Sequence, residues 1–140
     1  GVHFYRAPLK THMPDGEFAA ADLALPLPRV EIVLSYAGAD AALVEAAVAA
    51  GARGIVSAGF APGSPTPAQQ EALIAAAEAG IVIVQCTRAA TGRVAPRRRL
   101  KETGFVAGED FSPQKARILL MLLLTTTRDI AEIQNGFQKY

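Results

Sequence analysis

The side chains best placed to do chemistry lie in short loops that follow apolar runs. The first loop is Gly59-Phe60-Ala61-Pro62-Gly63-Ser64. Its glycines allow close backbone approach to a small ligand, and the Ser64 hydroxyl can donate or accept a hydrogen bond. It lacks the lysine of a phosphate-binding P-loop, and its spacing also fits a plain strand-to-helix connection. The second loop, Tyr36-Ala37-Gly38-Ala39-Asp40, sets a phenol and a carboxylate after another apolar run. Aspartate ahead of a helical run satisfies free N–H groups, so Asp40 reads as a cap in preference to a ligand, and Tyr36 as a packing residue. Cys86 is the single cysteine, which excludes an internal disulfide; within IVIVQC it reads as a small buried strand residue, the competing reading being a reactive thiol. Arg97, Arg98, Arg99 and Lys101 read as a solvated loop. A nucleic-acid surface would need a wider basic footprint and stacking aromatics, so no nucleic-acid partner is expected.

Short β-rich runs alternate with alanine-rich helical ones, the order of parallel strands joined by helical crossovers. The expected fold is a three-layer α/β domain, flavodoxin- or Rossmann-like, with a small, mostly parallel sheet of about four strands flanked by helices. Strands are expected over residues 2–6, 30–36, 54–58 and 81–86, with 105–107 pairing at an edge. Residues 7–29, with four prolines, read as a long connection holding at most a short helix over 18–25. A helix over 40–50 should bury Leu43, Ala47 and Val48 and end at Gly51; a second, over 67–79, is capped by Thr66 and closed by Gly80. Ser112 and Pro113 form a helix start, and from Ile118 that helix is apolar enough to be buried on most sides, inside a domain or between subunits. A last helix is expected over 129–138. In such sheets ligands sit just past the carboxyl ends of the strands, where both candidate loops fall.

With 140 residues, 51% of them hydrophobic, the chain can bury a core, yet it is short for two domains at ~100 to 200 residues each. A net charge of +1 implies no particular partner. The longest apolar run, residues 118–124, falls far short of the ~20 needed to span a bilayer, so no membrane span is expected, and any targeting signal would precede Gly1.

Gly104-Phe105-Val106-Ala107, then Ser112-Pro113-Gln114-Lys115-Ala116-Arg117, resembles the C-terminal end of bacterial L-asparaginases, in which a Gly-Phe-(Val/Ile)-Ala strand precedes an (Asn/Ser)-Pro-Gln-Lys-Ala-Arg helix start. VEIVLSYAGAD (30–40), GARGIVSAGFAPGS (51–64) and IVIVQCTRAATGRV (81–94) follow in the family's order and approximate spacing, so the resemblance covers nearly the whole chain. It implies that residues 1–140 are the C-terminal α/β domain and that the catalytic machinery lies mainly in an N-terminal domain absent from this chain. The family's Thr-Gly-Gly-Thr and His-Gly-Thr-Asp-Thr motifs have no match: Phe4 follows His3, Met13 follows His12, and Thr125, Thr126 and Thr127 end a helix. No catalytic residue is therefore expected here, nor any cofactor or metal.

The implied reaction is hydrolysis of the side-chain amide of L-asparagine to aspartate and ammonia through a threonine nucleophile, with the balance of asparagine over glutamine left open. The loop matching residues 59–64 reaches a neighbouring subunit's active site in the family, which makes Ser64 and Gly63 the candidate substrate-binding residues. The position of Ser64 is asparagine or serine there, and a homo-oligomer, dimer or tetramer, is implied. Some members place a glutamate ahead of the Gly-Phe strand; here the region reads Arg97-Arg98-Arg99-Leu100-Lys101-Glu102, so either Glu102 substitutes from a shifted loop or the role is missing. The ending resembles the exported branch more, which points to the periplasm ahead of the cytoplasm. The alternatives are a stand-alone α/β module that holds a small ligand at residues 59–64 without chemistry, and a related amidohydrolase such as an amidotransferase subunit. An upstream reading frame of roughly 190 further residues would exclude the stand-alone module.

Overall fold

The computed structural model describes Phe18 and residues 26–140; the strand expected at 2–6, His3, His12 and the body of the short helix expected at 18–25 lie outside the described residues. The element order is β1 (Val30–Leu34), α1 (Ala42–Ala49), β2 (Gly54–Gly59), α2 (Pro67–Glu78), β3 (Val82–Thr87), α3 (Arg98–Glu102), β4 (Val106–Ala107), α4 (Pro113–Leu123) and α5 (Ile130–Lys139). The four strands form one parallel sheet in sequence order, with Val30 opposite Gly54, Gly54 opposite Val82, and Val84 opposite Val106. Each connection is a helical crossover, as parallel neighbours require. The expected three-layer α/β architecture is therefore present.

Side-chain alternation along the strands splits the core in two. Val33, Ile55 and Ile83 meet Val44 and Ala47 of α1 and Leu73 and Ala76 of α2 on one face. Val30, Val56, Val84 and Val106 meet Ala116, Leu119, Leu120 and Leu123 of α4, with Ile133 and Phe137 of α5 behind them. Strands β2 and β3 are buried along their whole length, which is why GIVSAG and VIVQCT read as nearly continuous apolar runs instead of alternating ones. Gly54 lets α4 seat closely: a Cβ there would stand 2.7 Å from Leu120 Cδ2 and 3.2 Å from Leu124 Cδ1.

The helix starts follow the sequence. Thr66 accepts a hydrogen bond from the Gln69 N–H at 3.3 Å, Ser112 from the Lys115 N–H at 3.4 Å, and Asp129 from the Glu132 N–H at 2.9 Å. Asp40 serves α1 as expected, its Oδ1 accepting from the Ala42 N–H at 3.0 Å. Thr125 and Thr126 return their hydroxyls to the carbonyls of Leu122 and Leu123, at 2.6 and 3.0 Å, and so close α4. Both sheet edges are tied: Arg117 Nε donates to the Val30 carbonyl at 2.8 Å, and the Gln134 carboxamide accepts from the Ala107 N–H at 2.8 Å while donating to the Ala107 carbonyl.

Three expectations need correction. On α1 the buried residues are Val44 and Ala47, while Leu43 is 49% exposed and Val48 is also exposed, because the helix begins two residues later than expected and lies on the sheet through its smaller side chains. On α4 Ile118 is 52% exposed, so the apolar run is covered on one side within this chain and left open on the other. The arginine run is not a loop: residues 98–102 form one helical turn, anchored by the buried Leu100.

Leu120 is fully buried over Gly54 and fills the centre of the α4 contact. Leu120→Ala is expected to lower stability by about 2–5 kcal/mol, read as a lower urea midpoint with unchanged slope.

Candidate functional site

The strands end together, and the loops leaving β1, β2 and β3 meet at that end. After β2 the chain turns back on itself: the Phe60 N–H donates to the Ser64 carbonyl at 2.7 Å, the Ser64 N–H donates to the Phe60 carbonyl at 2.6 Å, and the Ala61–Pro62 peptide is cis. The turn demands glycine at two places. A Cβ on Gly59 would overlap the Gly63 carbonyl oxygen and lie 2.5 and 2.6 Å from the carbonyl carbons of Gly63 and Ser64. Gly63 itself sits at φ +105°, with Val94 Cγ2 2.8 Å from where a Cβ would be. Its N–H donates to the Phe60 carbonyl and its carbonyl accepts from Gln85 Nε2, so both of its backbone groups are used inside the fold. Ser64 is exposed, and among the described residues its hydroxyl has no hydrogen-bond partner.

Arg88 ties the three loops together. Its N–H donates to the Gly59 carbonyl at 2.8 Å, its Nη1 donates to the Ser35 carbonyl at 2.6 Å, and its guanidinium lies 4.6 Å from the centre of the Phe60 ring. Below it Ser35 and Gln69 form a buried pair, the Ser35 hydroxyl donating to Gln69 Oε1 at 2.6 Å and Gln69 Nε2 donating to the Leu34 carbonyl. Residue type and spacing alone do not single out Arg88, Ser35 or Gln69. An arginine directly after an apolar strand was the available signal, and its partners are set only by the fold.

The segment after Arg88 is held at its far end. The Val94 N–H donates to the Glu109 carbonyl at 2.8 Å, the Glu109 N–H donates back at 3.1 Å, and Arg93 Nε meets Glu109 Oε2 at 2.5 Å. Glu109 is 3% exposed and adopts φ +53°, uncommon for a residue with a side chain. The hydrogen bond to Glu109, and then its charge, pushes the Arg93 guanidinium above its ordinary range.

A cleft of about 450 Å³ opens beside the turn, lined by Ser64, by Glu71 of α2, by Gln85 of β3, and by Arg97, Arg99 and Thr103 around α3. Tyr36 and Asp40 do not line it. Glu102 does not line it either; it pairs with Arg98 at 3.2 Å. Cys86 is fully buried, and burial pushes its thiol up to about 12, which suits the inert strand residue and leaves no access for a reactive one. No group of metal-ligating side chains gathers among the described residues, and none of the described helices is long and apolar enough to cross a membrane.

The sequence profile described as the glutaminase/asparaginase C-terminal domain matches residues 29–137, most of the described fold. This chain belongs to that family. It is 37% identical over 139 residues to L-asparaginase 2 of Bacillus subtilis, covering 99% of this chain and 37% of that protein. It is 38% identical over 141 aligned positions to L-asparaginase 2 of Escherichia coli, covering 99% of this chain and 40% of that protein. The crystal structure of a probable cytoplasmic L-asparaginase from Campylobacter jejuni superposes with a TM-score of 0.87 at 37% identity, covering all of this chain and 46% of the other. This family domain thus spans about two-fifths of the curated relatives it matches.

Two outcomes test the site's construction. Gly59→Ala forces backbone against backbone and is expected to cost about 3 kcal/mol or more, seen as a lower urea midpoint. Cys86 should resist alkylation by iodoacetamide in the folded protein and react once it is unfolded in urea. The unfolded thiol ionises near its ordinary 9.0 and the folded one only near 12, so the stabilisation from Cys86 is whole below pH 9.0 and is lost as pH rises through that window.

Proposed function

We propose that the protein carrying this chain hydrolyses the side-chain amide of L-asparagine, and to some degree of L-glutamine, to the acid and ammonia. The observation that carries this reading is the family match over residues 29–137, together with relatives named L-asparaginase and glutaminase-asparaginase. In this reading residues 1–140 are the C-terminal domain, and the nucleophile belongs to a domain outside it. A hydroxyl attacks an amide only when a neighbouring base takes its proton and fixed donors receive the developing oxyanion. The Thr127 hydroxyl donates to the Glu132 carboxylate, but this pair serves the exposed start of α5 and neither residue lines the cleft beside Ser64. That supports a nucleophile supplied from elsewhere.

The part assigned to this chain is to complete the site of a neighbouring protomer. Ser64 presents a free hydroxyl on a turn whose backbone is hydrogen-bonded to itself, a rigid support suited to contacting the α-amino or carboxylate end of the substrate. Gly63 fixes the shape of that turn at the substrate's edge. The same reading makes the protein a homo-oligomer, dimer or tetramer. Exposed Ile32, Leu34, Leu43 and Ile118 supply apolar surface for such contacts.

The full-length protein is expected to release ammonia from L-asparagine, whereas the 140-residue chain alone releases none above background. In the full-length protein Ser64→Ala should raise the Michaelis constant about tenfold, the loss of one hydrogen bond to a charged group, while thermal stability and oligomer mass stay unchanged. An unchanged constant removes Ser64 from the site; turnover by the isolated chain removes the two-domain division of labour.

A further inference from the structure

The peptide that joins Gly63 to Ser64 is held from both of its sides. Its N–H, on Ser64, donates to the Phe60 carbonyl at 2.6 Å, and its carbonyl, on Gly63, accepts from Gln85 Nε2 of β3. A peptide unit is planar and rigid from one Cα to the next, so two opposed hydrogen bonds fix where the Ser64 Cα lies. With the Ser64 carbonyl also held by the Phe60 N–H at 2.7 Å, the hydroxyl keeps only the rotation about its own Cα–Cβ bond.

The bonds between Phe60 and residues 63–64 belong to the turn and move with it. Among the described residues, the one hydrogen bond that reaches residues 60–64 from outside comes from the Gln85 carboxamide. Gly63 also rests on the stem of that side chain: a Cβ there would stand 3.3 Å from Gln85 Cγ. Downstream the chain is fastened again, the Thr66 hydroxyl donating to the Ala39 carbonyl at 2.7 Å. Ser64 therefore lies between two anchors, and the nearer one sets it against β3.

Gln85 stands in register with Ser57 of β2 and Ala107 of β4, in a strand buried along its length, and is itself 8% exposed. A carboxamide there lowers stability unless it is hydrogen-bonded, whereas an aliphatic chain would fill the space without that cost. The bond to the Gly63 carbonyl offsets the cost, and the same residue lines the cleft beside Ser64. In that cleft water can replace a lost donor to Gly63, so removing the carboxamide disturbs position more than stability.

We infer that Gln85 is a positioning residue: it holds the Gly63–Ser64 peptide and thereby sets the Ser64 hydroxyl for its substrate contact. The hold on the turn follows from the geometry, and its effect on turnover rests on the contact proposed above between Ser64 and the substrate.

Gln85→Met keeps the length of the side chain and removes its donor; it is tested in the full-length protein, alone and combined with Ser64→Ala. The readouts are amide hydrogen exchange by mass spectrometry and the kinetics of ammonia release from L-asparagine. Peptides covering residues 59–66 should exchange at least about tenfold faster in Gln85→Met than in wild type, with those from α4 and the body of β2 unchanged. The Michaelis constant should rise about three- to tenfold, with kcat within about twofold of wild type. Because the substitution acts through Ser64, it should change the Michaelis constant of Ser64→Ala by less than about twofold. Unchanged exchange at residues 59–66, loosening of β2 and α4 to the same degree, or effects that multiply in the double variant would overturn the inference. Should Gln85→Met not fold, Gln85→Glu, of equal length but with a carboxylate oxygen facing the Gly63 carbonyl, carries the same expectations. Faster exchange with no wild-type turnover, or with Michaelis constants unchanged in both single variants, sinks the proposed function or its Ser64 contact and leaves the hold of Gln85 on the turn standing. Unchanged exchange with a raised Michaelis constant in Ser64→Ala does the reverse.

Discussion

The backbones at Gly59 and Gly63 touch, and the candidate site depends on that contact. With no Cβ at either position, the chain leaving the buried strand β2 can reverse within five residues and hydrogen-bond Phe60 to Ser64 in both directions. The reversal brings the Gly63 carbonyl to the Gln85 carboxamide, which lines the cleft, and leaves Ser64 exposed. A wider turn would leave the Gln85 carboxamide without its acceptor and move Ser64 away from the walls supplied by α2 and α3. Shape and rigidity come from one steric fact, and no long-range network is needed to explain them.

The sheet supplies the reason that polar groups gather at this end. Strands β2 and β3 are buried on both faces, and polar side chains near their exits are bonded internally: Ser35 to Gln69 beside them, and Gln85 to the Gly63 carbonyl. Arg88 donates to the carbonyls of Ser35 and Gly59 at the exit and lies against Phe60, joining three strand ends into one surface. Glu109 and Arg93 then fix the far end of the following segment, whose Val94 packs against Gly63. The loops around Ser64 are thus braced from two directions by arginines whose roles differ: one stitches carbonyls, the other pairs with a buried carboxylate.

Much of this was legible in the sequence because local rules coincide with the fold. Thr66-Pro67 and Ser112-Pro113 announce helix starts by their own chemistry, and the apolar runs of β2 and β3 announce a parallel sheet covered on both sides. The face of α1 was not legible: in an alanine-rich helix several residues compete for the core, and only the start at Ala42 selects Val44 over Leu43. The arginine turn hid because a single helical turn is decided by burial of Leu100, a tertiary contact. At the site, Ser64 could be singled out from its loop, but its cleft partners Glu71, Gln85, Arg97 and Arg99 come from three other segments. No spacing rule joins them; strand order and crossover length do.

The central claim is that Ser64 of one subunit completes a site whose nucleophile sits on another. A crystal structure of the full-length protein with L-aspartate tests it most directly. The account predicts Ser64 Oγ within about 3 Å of an aspartate oxygen or nitrogen, with the rest of that ligand held by a neighbouring subunit. An aspartate bound wholly within one subunit, with the Ser64 hydroxyl in bulk water, would contradict it.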